Sequence, residues 1–291
     1  MADFLTDVAT PLSASNFRFV AELLQREAAI SLEAGKEYLV ETRLASLATR
    51  HNHASVNGLV EQIRSEQSFA HLVTPAIIDA LTTNETLFFR DIHPFETLRK
   101  HVLPKLIAAR AAEKKLTLWS AASSTGQEAY SLAMLLTEHF PQLQDWQVRI
   151  IGTDLSPTVV NKARRGIYSQ IEVNRGLPAS YLVKYFRQKS DGWHLADAIK
   201  AKVEFRELNL IRPWSFFSKF DLIFMRYVLI YFTVETKRQI MQNALKNLAP
   251  DGYFFLGGAE SALTVTDIFT PVTHERTTCY QATPPKSAVG F

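Results

Sequence analysis

Apolar positions in the first eighty residues recur at helical spacing. An amphipathic helix opens over Asn16 to Leu24, and a second runs from about Lys36 to Arg50 with Leu39, Val40, Leu44 and Leu47 on one side. A third segment near Val56 to Arg64 and a fourth from Pro75 to Leu81 complete a small bundle. Lys36, Arg43 and Arg50 recur every seven residues; at about 100° per residue they drift by only about 20° per heptad and form one basic stripe beside the apolar face. Glu37 and Glu41 fall on another side. Two readings fit: long basic side chains flanking a buried face with their heads in water, or a docking surface for an acidic partner helix.

The period changes after residue 80. Thr82 to Arg90 is a polar link into the pair Phe88-Phe89 and then an arginine, an odd place for two aromatics unless both find cover. Either an ordinary linker or a strap lying over a pocket accounts for it. Phe95 to Ala112 reads as an amphipathic helix that Pro104 bends or breaks. Leu116, Leu118 and Trp119 then form a short run of strand character, while Ala129, Tyr130, Ala133, Met134 and Leu136 return to helical spacing. Between them lie small hydroxylated residues and the single glycine Gly126, so the segment predicts a strand, a tight turn and a helix. That unit places ligands at the carboxyl end of a parallel strand.

Arg149 to Asp154 is a second buried strand ending on a carboxylate, followed by Ser156 as N-cap and Pro157 at the first helical position. In a nucleotide-binding fold Asp154 stands where ribose hydroxyls donate. The first loop is not G-x-G-x-x-G, however, and it offers Glu128 where a diphosphate needs close approach. A carboxylate there repels phosphate but tolerates a cationic ligand such as S-adenosylmethionine. An ordinary βαβ unit with a solvated first-turn glutamate fits the same residues.

After a helix through Val159 to Ala163, the pattern from Gly166 to about Lys202 loses order; Gly176, Pro178 and Ser190-Asp191-Gly192 predict small strands and turns, with no long helix. Strands follow at Val203 to Leu210, ending on Asn209, and at Phe220 to Phe224, running into a turn that carries Arg226, Tyr227 and Tyr231. Thr233 caps a helix to about Leu248, a turn over Ala249 to Gly252 leads into the strand Tyr253 to Leu256, and Thr277 to Gln281 is a last strand. The alternation predicts an α/β fold with a mostly parallel sheet closed by an antiparallel strand. The tail from Pro284 is expected to fray.

Composition narrows the class. With 47% hydrophobic and 21% charged residues over 291 positions, the chain is globular and long enough for two domains. No basic run precedes an apolar segment at the N-terminus and no 18-residue apolar stretch occurs, so a cytoplasmic protein without membrane insertion is expected. The lone Cys279 rules out an intrachain disulfide or a multi-cysteine zinc site, and the eight histidines lack paired ligand spacing, so no metal is expected. A net charge of +3 does not by itself imply nucleic acid.

Taken in order, these motifs resemble the bacterial chemotaxis methyltransferases, the CheR family, over almost the whole chain. The resemblance rests on Asn84-x-Thr86-x-Phe88-Phe89-Arg90, on the run Trp119 to Ala133, on Gly152-Thr-Asp154-Leu-Ser156, on Arg226-x-Val228-Leu-Ile-Tyr-Phe232, and on Arg43-Leu44 in a helical N-terminal domain. It implies a Rossmann-like class I S-adenosylmethionine methyltransferase domain at 81–291 behind a helical receptor-docking domain at 1–80. The strap would span 81–91 and an inserted β-subdomain about 172–202, which in some members binds a receptor C-terminal peptide. It also implies that Asn84, Thr86 and Arg90 reach the cofactor from the strap, that Ala121, Glu128 and Asp154 hold its amino-acid and ribose parts, that Asn209 and Leu210 contact the adenine side, and that Arg226 and Tyr227 line the floor. The sequence departs from the family's usual residues at Tyr227 (Asn), Gln127 (Glu) and Ala129 (Pro).

The implied reaction is methyl transfer to glutamates of methyl-accepting chemotaxis receptors, whose cytoplasmic helical bundle would meet Lys36, Arg43 and Arg50; a monomer is expected. A glutamate with a pKa near ~4.3 is already ionised at pH 7, which suits motifs containing no His or Lys. Arg90 and Tyr231 are the candidate catalytic residues, Arg90 to orient the carboxylate and Tyr231 to hold the methyl donor or the second oxygen. A methyltransferase acting on another substrate and a cofactor-binding adaptor without transfer activity are the rival readings. The Asn/Asp-Pro-Pro-Tyr turn of amino-group methylation is absent after the Phe220 strand.

Overall fold

The protein is described as a computed structural model covering residues 11–214 and 219–284. The chain divides into two compact units, the first ending at Thr83 and the second starting at Asn84; the pattern alone put that division at 80/81.

In the first unit, helices α1 (Ala14–Ala28), α2 (Glu37–Arg50), α3 (Val56–Ser65) and α4 (Gln67–Leu81) pack around one core that includes Val20, Leu24, Val40, Leu44, Leu59, Val60 and Ile77. Ser13 and Ser55 start α1 and α3 by accepting the backbone N–H three residues on. Two expectations need correcting. The fourth helix begins at Gln67, with Pro75 inside it; Pro75 lies on the exposed side, where water can replace the missing N–H donor. The basic stripe is not three equivalent heads. Lys36 precedes α2 as its N-cap and pairs with Glu33 at 3.2 Å, and Arg43 donates from Nη1 to the carbonyls of Leu81 and Thr82, both at 2.9 Å. Arg43 thereby closes the carboxyl end of α4, while Arg50 is exposed.

The second unit starts with the strap and continues through α5 (His93–Thr97), a π-helical turn over Leu98–Val102, and α6 (Leu103–Ala109). Pro104 does not break this segment in two: the backbone stays right-handed helical from Thr97 through Leu103, with a π-helical turn directly before α6 and Pro104 in the first turn of α6. Next come β1 (Lys115–Ala121), α7 (Gln127–His139), β2 (Gln147–Asp154) and α8 (Pro157–Arg165). An insert of β3 (Ile167–Tyr168), α9 (Gln170–Asn174), α10 (Ala179–Tyr185), β4 (Phe186–Lys189), β5 (Gly192–Leu195) and α11 (Asp197–Lys200) follows. The chain closes with β6 (Val203–Glu207), β7 (Phe220–Met225), α12 (Val234–Asn247), β8 (Leu248–Leu256), β9 (Phe269–His274) and β10 (Thr277–Ala282).

Seven strands form one sheet in the order β6-β2-β1-β7-β8-β10-β9. The first five are parallel and β10 runs antiparallel to both neighbours. All six residues of β7 are buried, and apart from Asp221 they are apolar, as in a strand covered on both faces. Strand order reverses between β1 and β7, which opens a crevice at their carboxyl ends.

Three departures have local causes. Strand β9 escaped the pattern because it is an edge strand carrying Pro271, with a single buried position, Phe269. Strand β8 already begins at Leu248; its register jumps between Phe220↔Leu248 and Leu222↔Tyr253, so the expected turn at 249–252 is a bulge. The insert is a three-stranded antiparallel sheet, β3-β5-β4, that starts at Ile167 and carries short helices as well as turns. The tail beyond residue 284 lies outside the described residues. No helix among the described residues is long and apolar enough to cross a membrane.

Candidate active site

The crevice above β1, β2 and β7 gathers residues from four separate stretches. At the end of β1, Ala122 and Ser124 adopt φ 52° and 49° and Gly126 φ 94°, folding the first loop back over the sheet. Gly126 is required twice over, since a Cβ there would lie 2.9 Å from Ala163 Cβ as well as in left-handed backbone. Asp154, buried at the end of β2, accepts the Ser124 amide at 2.8 Å and the Ser156 amide at 3.0 Å, so it holds the loop in place. Leu208 N–H reaches the Asp154 carbonyl at 2.8 Å, which sets Asn209 and Leu210 beside it at the end of β6.

Glu128 lies in the first turn of α7, but it is not solvated; its side chain is 13% exposed. Ser120 Oγ donates to one carboxylate oxygen at 2.8 Å and Arg226 Nη1 to the other at 3.0 Å. Burial pushes the Glu128 carboxyl above the usual range, while Arg226, Ser120 and Arg90 pull it down. Arg226, 1% exposed just past β7, uses Nη2 to bond the Arg90 carbonyl at 3.0 Å and Asp91 Oδ2 at 2.8 Å. Its Nε is buried without a hydrogen-bond partner.

The strap finds the cover that its aromatics demanded. Phe88 is fully buried, edge-on to Tyr168 and Phe186 of the insert at 5.0 and 5.6 Å, and Phe89 packs on Phe95 and Tyr181. Ser131 Oγ accepts the Phe89 amide at 2.9 Å, Ser124 Oγ donates to the Asn84 carbonyl at 2.8 Å, and the Tyr168 hydroxyl donates to the Thr125 carbonyl at 2.8 Å. The insert approaches the strap so closely that a Cβ on Gly176 would fall 2.0 Å from the Phe88 carbonyl oxygen.

Of the residues expected from sequence, Arg90, Glu128, Arg226 and Tyr227 form one contiguous cluster, and Asn84 and Asp154 bind the same loop. Arg90 donates to the Glu85 carbonyl at 3.1 Å, and its guanidinium lies 3.9 Å from the Tyr227 ring centroid. Thr86 lies half-buried on the strap, Ala121 ends β1, and Tyr231 lies half-buried in the one-turn helix Leu229–Tyr231. Sequence reasoning missed Asp91 and Glu260. Glu260 accepts the amides of Tyr227 at 2.7 Å and Gly257 at 2.8 Å, bracing the turn after β7 from the loop after β8. The signals were an acidic residue directly after the strap arginine and one directly after Gly257-Gly258-Ala259.

Two buried carboxylates fit a ligand that is cationic at one end and offers ribose hydroxyls. S-adenosylmethionine has both, whereas a diphosphate would meet Glu128 head-on. Among the described residues no cluster of His, Cys, Asp or Glu could hold a metal ion.

Comparison with known proteins gives the same answer. Residues 84–278 match the CheR methyltransferase SAM-binding domain and residues 15–82 its all-alpha domain. The chain is 40% identical over 263 residues to chemotaxis protein methyltransferase 1 of Pseudomonas aeruginosa, covering 88% of this chain and 94% of that one. Against chemotaxis protein methyltransferase 1 of Vibrio cholerae the identity is 37% over 265 residues, covering 90% and 94%. With both domains matched in order and a carboxylate-lined crevice where strand order reverses, the chain belongs to the CheR family of chemotaxis methyltransferases.

Proposed function

We propose that this methyltransferase esterifies glutamate side chains on the cytoplasmic helical bundle of methyl-accepting chemotaxis receptors, as the names of its relatives imply. The observation that carries the reading is the buried pair of Glu128, in the first turn of α7, and Arg226, just past β7, a site suited to a sulfonium ligand and to a reaction that moves no proton. S-adenosylmethionine, when bound, supplies an electrophilic methyl group. A substrate carboxylate oxygen forms the new C–O bond as the C–S bond breaks, and the bonding pair leaves with sulfur.

The protein's own work is placement and exclusion of water. Glu128 and Asp154 hold the amino-acid and ribose ends of the donor, with Asn84, Thr86, Ala121, Asn209, Leu210 and Arg226 around it. Arg90 faces the acceptor carboxylate through paired hydrogen bonds, and Tyr231 holds the methyl donor or the second oxygen. Arg50, with Lys36 beside the same helix, meets the acidic receptor bundle; Arg43 contributes charge there as well as closing α4.

Incubating the protein with radiolabelled S-adenosylmethionine and receptor fragments tests this. Label in a base-labile ester on receptor glutamate is expected, and Arg90→Ala and Tyr231→Phe are each expected to lower kcat more than twofold. Arg50→Glu should weaken receptor methylation at low salt while sparing S-adenosylhomocysteine binding. Label on another substrate, or donor binding without transfer, would overturn the assignment.

A further inference from the structure

Tyr227 occupies an unfavourable backbone. Its φ is 58°, a region open to glycine and tolerated by asparagine or aspartate but strained for a bulky aromatic residue. The surroundings are built to keep it there. Glu260 accepts its amide at 2.7 Å, and a Cβ on Gly257 would stand 2.9 Å from the Tyr227 ring, so that glycine clears the space the ring fills. Strain maintained by such fitting points to what the side chain does.

The side chain has two contacts with the strap. Its hydroxyl donates to Asp91 Oδ2, the same oxygen that accepts from Arg226 Nη2, and its ring face lies 3.9 Å from the Arg90 guanidinium. Asp91 is itself held at φ 62° and Phe89 at φ 48°, so the strap is bent on both sides of Arg90. One Asp91 carboxylate oxygen thus ties the strap to both Arg226 and Tyr227 of the floor, beside the Arg226 bond to the Arg90 carbonyl, and an aromatic face fixes the plane of the strap arginine.

We propose that Tyr227 and Asp91 form a latch that holds the strap over the donor site and orients the Arg90 guanidinium, which makes Tyr227 a positioning residue for methyl transfer. This rests on the methyltransferase reading above, in which Arg90 meets the acceptor carboxylate. The two halves of the side chain have separable duties: the hydroxyl secures the strap and therefore retention of the donor, while the ring aligns Arg90 and therefore the chemical step.

Full-length Tyr227→Phe, Tyr227→Leu and Asp91→Asn proteins test it, with steady-state transfer to receptor fragments and S-adenosylhomocysteine release measured by stopped flow. Tyr227→Phe and Asp91→Asn are expected to speed product release and raise KM for S-adenosylmethionine threefold or more. Tyr227→Leu is expected to lower kcat tenfold or more, with Tyr227→Phe restoring most of that loss because it keeps the ring. Melting curves for each variant separate misfolding from misplacement. Release rates, KM and kcat all within twofold of wild type in the Phe and Asn variants would overturn the latch, as would a kcat loss that merely follows the unfolded fraction. Absence of transfer by the wild-type protein would instead overturn the underlying reading.

Discussion

Strand β7 ends in two arginine–carboxylate clusters of opposite character. At its amino end Asp221 accepts Arg110 Nε at 2.8 Å and the Thr117 amide at 2.8 Å, and Arg110 also grips both oxygens of Asp251. All three guanidinium nitrogens are used, and the partners follow ordinary strand and bulge backbone. Just past its carboxyl end, Arg226 bridges Glu128 and Asp91 but leaves Nε unpartnered. Five of the nine described non-glycine residues with φ of 48° or more, Phe89, Asp91, Ala122, Ser124 and Tyr227, lie around that second cluster. The same chemical groups therefore serve two ends. Where every donor is spent on ordinary strand backbone the cluster ties neighbouring strands together, and where the backbone is strained the cluster lies at the crevice.

Substitutions at the two ends of this strand would break or sharpen the contrast. Arg226→Ala strands the buried Glu128 carboxylate and should have the largest effect: a loss of about 3–5 kcal/mol in stability by the cost of orphaning a buried charge, together with loss of S-adenosylhomocysteine binding in calorimetry. Asp221→Asn should cost less, about 1–3 kcal/mol in denaturant melts, while the folded protein transfers methyl groups at the wild-type rate. If the second variant lost turnover as completely as the first, the division between a structural and a functional end would be wrong.

Gly176→Ala should come next. It drives a Cβ toward the Phe88 carbonyl from a residue at φ 81°, so the insert must move off the strap. A several-fold drop in kcat, with a stability loss of about 1–3 kcal/mol, is expected. The smallest effect is in pH. The Arg110 hydrogen bond holds the Asp251 carboxyl below its ordinary 3.8. A depressed folded pKa contributes stability that is present above 3.8 and is lost as pH falls through the lower folded value. Acid melts below pH 4 should therefore narrow the gap between wild type and Asp251→Asn, and a constant gap would remove this contribution.

The sequence alone determined much of this protein. Helical periodicity, the apolar runs of β1, β2 and β7, the Ser156-Pro157 helix start and the single-glycine loop with Glu128 were all legible, because each is a local preference or a pattern fixed by burial on one or two faces. Position after a strand also picked out Glu128 and Asp154, whereas Arg90 and Arg226 came from the family resemblance. Only the tertiary structure decided how those residues are used. It buried a glutamate that helix-terminus preference alone would leave in water, spent Arg43 on the carbonyls ending α4, and brought Asp91 and Glu260 to opposite sides of Tyr227. Such pairings join residues up to 136 positions apart, as Asp91 and Tyr227 are. Periodicity reports which face of an element is buried; which polar group it meets there depends on where the rest of the chain is folded.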